Sequence, residues 1–119
     1  MAETNTPPTV SSPFDALNSL HRAVARSLKE LPFDLSQRQL GILLTVYMAQ
    51  PPHTVRSLSE GLKISKPAVC RALDTLSLHD LVRRKKDEND RRIVYLTRTV
   101  SGSVFLRDLG EIYSVELAR

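Results

Sequence analysis

The feature that most limits how this chain can fold is a pair of helix starts set close together in TVRSLSEGLKISKPAVCRALDTLSL, Thr54 to Leu78. Thr54 and Ser65 both carry a side-chain oxygen suited to capping a helix N-terminus. Between them there is room for one short helix, Val55 to about Gly61, and a tight connection, Leu62-Lys63-Ile64. The second helix starts at Lys66 with Pro67 in its first turn, where a missing N–H costs nothing. Val69, Leu73 and Leu76 recur at helical spacing and form its inner stripe. Lys66, Pro67, Cys70, Arg71, Asp74 and Thr75 are left for the outer face. Two short helices joined by a tight turn, the second polar outward, describe a helix-turn-helix.

What flanks the pair sharpens the expectation. Upstream, Ser12 as cap, Pro13 and Asp15 begin a helix that runs to about Glu30 and is closed by Pro32. Phe14, Leu17, Leu20 or His21, Val24, Leu28 and Leu31 give it one apolar stripe. Ser36 caps the next helix, whose Leu40, Ile42, Leu43, Leu44, Val46 and Tyr47 make it apolar nearly all round, as befits burial in a core or between subunits. Pro51-Pro52 ends it. Downstream, Leu81-Val82-Arg83 and Ile93 to Thr97 read as two strands, and the charged run between them as a hairpin tip. A hairpin directly after a helix-turn-helix is a wing. A last helix, Val100 to about Leu117 and capped by Thr99, carries more apolar surface than an edge helix of a small domain needs.

The expected fold class is therefore mainly α (α+β): a winged helix-turn-helix with a two-stranded β-hairpin wing and flanking dimerisation helices. The helix-turn-helix spans about 54–78, the wing about 81–98, and the outer helices about 13–31 and 100–118. Residues 1–12, rich in Pro, Thr and Ser, are expected to form a disordered tail. At 119 residues, the remaining 13–119 make one domain with a core.

Charge placement says more than the net +4. Lys63 to Arg98 holds ten Lys/Arg against five Asp/Glu, so all the excess positive charge lies in one segment. That favours a polyanion-binding surface over a uniformly solvated one. The single cysteine, Cys70, forbids an internal disulfide and suits a reducing cytoplasm. No signal peptide or bilayer-length apolar run is visible, so no membrane partner is expected. His21, His53 and His79 are scattered without ligand spacing, so no metal is expected. No Ser-His-Asp order, carboxylate pair or glycine-rich phosphate loop is present, and neither enzyme activity nor a cofactor is expected.

Taken together, these residues resemble the MarR family of bacterial and archaeal transcriptional regulators, over roughly Leu35 to Gly102. Leu35-Ser36-x-x-Gln39 resembles the family's Leu-Thr-x-x-Gln opening, and Thr54-Val55-Arg56-x-Leu58 its first helix-turn-helix helix. Ile64 to Asp74 is similar to its recognition helix, and Asp90-Arg91-Arg92 to its wing signature. Departures are Cys70 for the usual Thr or Ser, Asp80 for Gly, and Arg98 for an apolar residue. Asp tolerates a left-handed backbone, so the turn at Asp80 is expected to survive. The sequence stops at Arg119, about one helix sooner than is usual for the family, so a smaller or differently built dimer interface is expected.

The resemblance implies a homodimeric regulator of double-stranded DNA, a repressor on a pseudo-palindromic operator. It implies recognition-helix contacts from Ser65, Lys66, Pro67, Ala68, Cys70, Arg71 and Thr75, and phosphate contacts from Thr54 and Arg56. In the wing it implies Lys85, Lys86, Asp90, Arg91 and Arg92, with Asp90 orienting an arginine and Arg92 or Arg91 entering the minor groove. Members commonly take a small-molecule effector between the dimer helices and the winged domain; no residue pattern here marks such a pocket. Arg71 is the candidate for guanine readout through O6 and N7. Its rival role is an i,i+3 pair with Asp74. Cys70 invites a redox switch, but it lies beyond the first turn where the helix dipole would activate a thiol, so the plain small-residue reading is preferred. The alternative from another class is a winged-helix interaction module that docks on another regulator without binding DNA.

Overall fold

A computed structural model describes residues 12–119; the tail expected over 1–12 lies, apart from Ser12, outside the described residues. In chain order the elements are α1 (Pro13–Glu30), α2 (Gln37–Met48), α3 (Val55–Leu62), α4 (Lys66–Leu78), β1 (Val82–Lys86), β2 (Val94–Arg98) and α5 (Val100–Ala118). The described residues form two compact units: Leu35–Leu106, and Ser12–Asp34 together with Arg107–Arg119. No described helix is long and apolar enough to cross a membrane.

In the Leu35–Leu106 unit each helix starts where its cap sits. Ser36 accepts from the Gln39 N–H while the Gln39 side chain accepts from the Ser36 N–H, and Thr54 and Ser57 close the same reciprocal box on α3. Ser65 accepts from the Ala68 N–H at the start of α4. The turn between α3 and α4 is made by Lys63 in the left-handed region at φ 55. The core is Ile42, Leu43, Val46, Leu58, Val69, Leu73, Leu76, Leu81, Val82 and Leu96. α2 buries one face only: Leu44 and Met48 stay exposed.

α4 passes into the hairpin through a left-handed Asp80, φ 57. The Leu81 N–H reaches the Leu76 carbonyl and the Asp80 N–H that of Ser77, the bonding of a Schellman motif with Asp in the glycine's place. β1 and β2 pair antiparallel, from Val82 opposite Arg98 to Lys86 opposite Val94. β1 runs further than its side chains suggest, while β2 keeps its expected length but shifts by one residue, from Ile93–Thr97 to Val94–Arg98. β1 continues through Arg84, Lys85 and Lys86 because backbone pairing is indifferent to charged side chains that stand in solvent. Lys85 and Lys86 therefore belong to the strand, and the tip shrinks to 87–93.

A buried hub joins hairpin and α5. The Tyr47 hydroxyl donates to the Leu81 carbonyl at 2.8 Å and accepts from the Thr99 N–H at 2.9 Å. Thr99 Oγ1 donates to the Asp80 carbonyl and accepts from the Gly102 N–H, capping α5. Gly102 is required here, since a Cβ would lie against the Tyr47 hydroxyl and within 2.5 Å of the Leu81 carbonyl. Arg98 finds its place with its guanidinium 5.7 Å from the centre of the Tyr47 ring.

In the other unit, α1 buries only small residues, Ser19 and Ala23, while α5 contributes Leu109, Ile112 and Glu116. The Glu116 carboxylate is 2 % exposed and accepts from Arg22, Arg26 and Arg119. Burial pushes that carboxyl up, but the Arg26 hydrogen bond, the charges of Arg119 and Arg26 and the Arg22 hydrogen bond outweigh it, leaving it below the usual glutamate range. The apolar stripe of α1 faces outward: Phe14 is 75 % exposed, and Leu17, Leu20, Val24 and Leu28 are also exposed.

Candidate nucleic-acid interface

The starts of α3 and α4 and the tip of the hairpin converge. Thr54, Val55 and Arg56 from α3, Lys66 from α4, and Arg92, Ile93 and Val94 from the wing line one open cleft of about 450 Å³. Three cationic side chains thus face a shared space beside two helix N-termini, whose free N–H groups favour anions. Arg56 is exposed and also pairs with Glu60 at 3.1 Å.

Along α4, Ser65, Lys66, Pro67, Cys70 and Arg71 are exposed, and Thr75 is half-buried. Ala68 is only 8 % exposed and faces the core. The rival partner of Arg71 is otherwise engaged: Asp74 Oδ1 accepts from Arg84 Nη2 at 2.8 Å. Among the described residues Arg71 has no hydrogen-bond or ion-pair partner, so its guanidinium stands free on the outer face.

The hairpin tip is built by its acids. Asp87 Oδ2 accepts from the N–H groups of Asn89 (2.9 Å) and Asp90 (2.8 Å), and the Asp87 N–H reaches the Ile93 carbonyl. Asp90 Oδ1 then accepts from both the N–H and Nε of Arg92, at 3.1 and 3.0 Å, and Oδ2 from Nη2 at 3.1 Å. This fork fixes the Arg92 side chain while leaving it 91 % exposed. The Arg92 hydrogen bonds hold the Asp90 carboxyl below its usual range, and Asp90 holds Arg92 more firmly charged. The Asp87 charge, with some burial, raises the Tyr95 phenol. Arg91 is exposed beside the fork.

The sequence-named cations do not all gather. Lys85 and Lys86 line a second groove of about 430 Å³, with Pro51, Pro52, His53 and Tyr95. Among the described residues no three His, Cys, Asp or Glu are placed to hold a metal ion. The Arg84–Asp74 pair went unselected in the sequence. Strand alternation carries a signal for the pair: Arg84 shares a face with buried Val82, the side of the strand that can meet α4.

A model of the MarR family matches residues 33–93. A comparison with curated protein sequences finds no match. Among solved structures, YusO from Bacillus subtilis superposes with a TM-score of 0.74 at 20% identity, over 89% of this chain and 74% of that one. A point mutant of S. aureus MepR bound to an oligodeoxyribonucleotide gives 0.73 at 22% identity, over 85% and 72%. The transcriptional regulator Tm0710 from Thermotoga maritima gives 0.70 at 20% identity, over 87% and 70%.

Proposed function

The chain belongs to the MarR family of winged-helix transcriptional regulators, and from that premise we propose that it represses transcription by binding double-stranded DNA as a homodimer on a pseudo-palindromic operator. The observation that carries this reading is the cleft on which Thr54, Arg56, Lys66 and Arg92 converge, with Arg71 exposed further along α4. In this reading α4 enters the major groove. Ser65 and Lys66 meet phosphate at the helix start, as do Thr54 and Arg56 from α3. Pro67 and Cys70 allow close approach, Arg71 reads guanine, and Thr75 flanks it. Ala68 serves packing instead. Arg92, braced by Asp90, enters the minor groove with Arg91 beside it, and Lys85 and Lys86 add long-range attraction. The oligonucleotide-bound MepR match supports the same partner class.

The outward stripe of α1, with Val115 and Leu117 on α5, supports the homodimer, because a second copy would remove these side chains from water. Light scattering tests it: wild type gives a dimer mass and Leu17→Glu a monomer, and a wild-type monomer at micromolar concentration refutes it. The DNA reading is tested by selecting genomic fragments with purified protein near physiological salt. An enriched inverted repeat, half-sites one helical turn apart, is expected. No enrichment by folded protein refutes it.

A further inference from the structure

The hairpin is held unequally along its two edges. On the β2 edge, backbone fixes it: the Leu96 N–H donates to the His53 carbonyl at 2.8 Å, and Tyr95 bridges to Thr54. On the β1 edge the described residues show no such backbone bond, and Val82 at its base is buried. There, among the described residues, one side chain makes the hydrogen bonds from β1 to α4. Arg84 Nη2 donates to Asp74 Oδ1 at 2.8 Å and, more loosely, to the Cys70 carbonyl at 3.4 Å. Cys70 and Asp74 are both exposed on α4, one turn apart, and exposed Arg71 lies between them in sequence.

We infer that the Arg84–Asp74 pair is a strut that sets the wing against α4, fixing the distance between the Arg92 finger and Arg71. This rests on the DNA reading above and assigns two positioning residues to it. The side chains are 40 % and 68 % exposed, so the pair contributes little to stability. Its position gives it leverage instead. Arg84 is two residues up the strand from the buried base, about 7 Å, and the tip with Arg92 extends beyond it. A hairpin free to tilt on its β2 edge would still carry Arg92, but at no fixed offset from the base that Arg71 reads. The strut thus makes binding selective for half-sites whose narrow, A·T-rich minor groove lies at one set distance from the major-groove contact.

Asp74 supplies a test in which geometry and charge predict opposite signs. An acid on a DNA-facing helix repels phosphate, so Asp74→Asn should raise affinity if only charge matters. The strut requires that Asp74→Asn lower it. Affinities are measured for wild type, Asp74→Asn, Arg84→Ala, Arg92→Ala and Arg84→Ala/Arg92→Ala, on the selected operator with A·T-rich or G·C-rich flanks. Circular dichroism establishes that each variant is folded. Asp74→Asn and Arg84→Ala are each expected to lose roughly tenfold on the A·T-flanked operator and much less on the G·C-flanked one. In the Arg92→Ala background, Arg84→Ala should add nothing, because the strut acts through Arg92. Asp74→Asn binding both operators more tightly, or additive losses in the double variant, overturns the strut. Asp74→Asn keeps the test decisive if Arg84→Ala fails to fold. Unchanged affinity of Arg92→Ala overturns the wing's role itself, and the strut with it; no binding by wild type to any duplex marks failure of the DNA reading instead.

Discussion

Replacing Tyr47 with Phe removes one oxygen atom and leaves the ring, so it isolates the hub that joins α2, the hairpin base and α5. The hydroxyl has a single proton, which goes to the nearer Leu81 carbonyl at 2.8 Å; the Thr99 carbonyl at 3.2 Å is a second, weaker neighbour. The oxygen also accepts from the Thr99 N–H at 2.9 Å. All three backbone groups lie where water does not reach, since Tyr47, Leu81 and Thr99 are all buried. Stranding a buried N–H costs about 1–3 kcal/mol, and losing the carbonyl's partner adds about 1 kcal/mol. The sum is a destabilisation of about 2–4 kcal/mol. Arg98 keeps its ring in the variant, so the cation–π contribution changes little.

Urea unfolding followed by circular dichroism measures this directly, with protein concentration held fixed because association shifts apparent stability. With a slope of about 2 kcal/mol/M, the midpoint should fall by about 1–2 M and the slope should stay unchanged. Hydrogen exchange at the Thr99 amide should speed up by the same free energy. A loss below about 0.5 kcal/mol with unchanged Thr99 exchange would show that these backbone groups find other partners, and the hub would carry no weight.

Gly102→Ala should destabilise by about 1–3 kcal/mol, because the new Cβ meets the Leu81 carbonyl, which is backbone, as well as the Tyr47 hydroxyl; a wild-type melting curve would contradict this. Arg71→Ala should cost about 1–3 kcal/mol on the selected operator and little on random DNA. Equal losses on both, read by fluorescence anisotropy, would make Arg71 a phosphate contact. Glu116 has a folded carboxyl below its unfolded value. Its stabilisation is therefore present above the ordinary glutamate range, about 4.3, and is lost as pH falls below it. Glu116→Gln should flatten that acid limb in melting experiments, and an unchanged limb would assign acid sensitivity elsewhere.

Local rules made the helices legible. Ser12, Ser36, Thr54 and Ser65 each cap the helix that their position in the sequence announces, and Thr99 accepts from the Gly102 N–H as a cap does. The left-handed turn at Asp80 was legible for the same reason, since few residues tolerate that backbone. The strands were less so. Side-chain composition stopped β1 at Arg83, whereas the ladder continues to Lys86, because the backbone decides where pairing ends. Arg98 stands where the family it resembles has an apolar residue, and only the fold brings Tyr47 beneath it, more than one helix away in sequence. In the interface, the exposed cations could be named in advance. Their grouping could not: Arg92 joins the helix starts in one cleft, whereas Lys85 and Lys86 face another groove.

The same distinction explains the acids set inside the basic segment. Three of the five, Asp74, Asp87 and Asp90, do a job that a lysine or arginine cannot do, because each accepts hydrogen bonds. Asp87 turns the tip by accepting two backbone N–H groups, and Asp90 accepts three donors from a single arginine. Asp74 receives Arg84 from across the hairpin. The net charge of the segment sets how strongly it attracts a polyanion at a distance, and every acid lowers that attraction. Attraction alone would leave Arg92 as one of many mobile cations. Holding it in one posture while 91 % of it remains exposed converts diffuse charge into a contact at a defined place. In the operator-binding reading proposed above, giving up some affinity for position is the favourable exchange, because phosphate attraction is the same for every sequence.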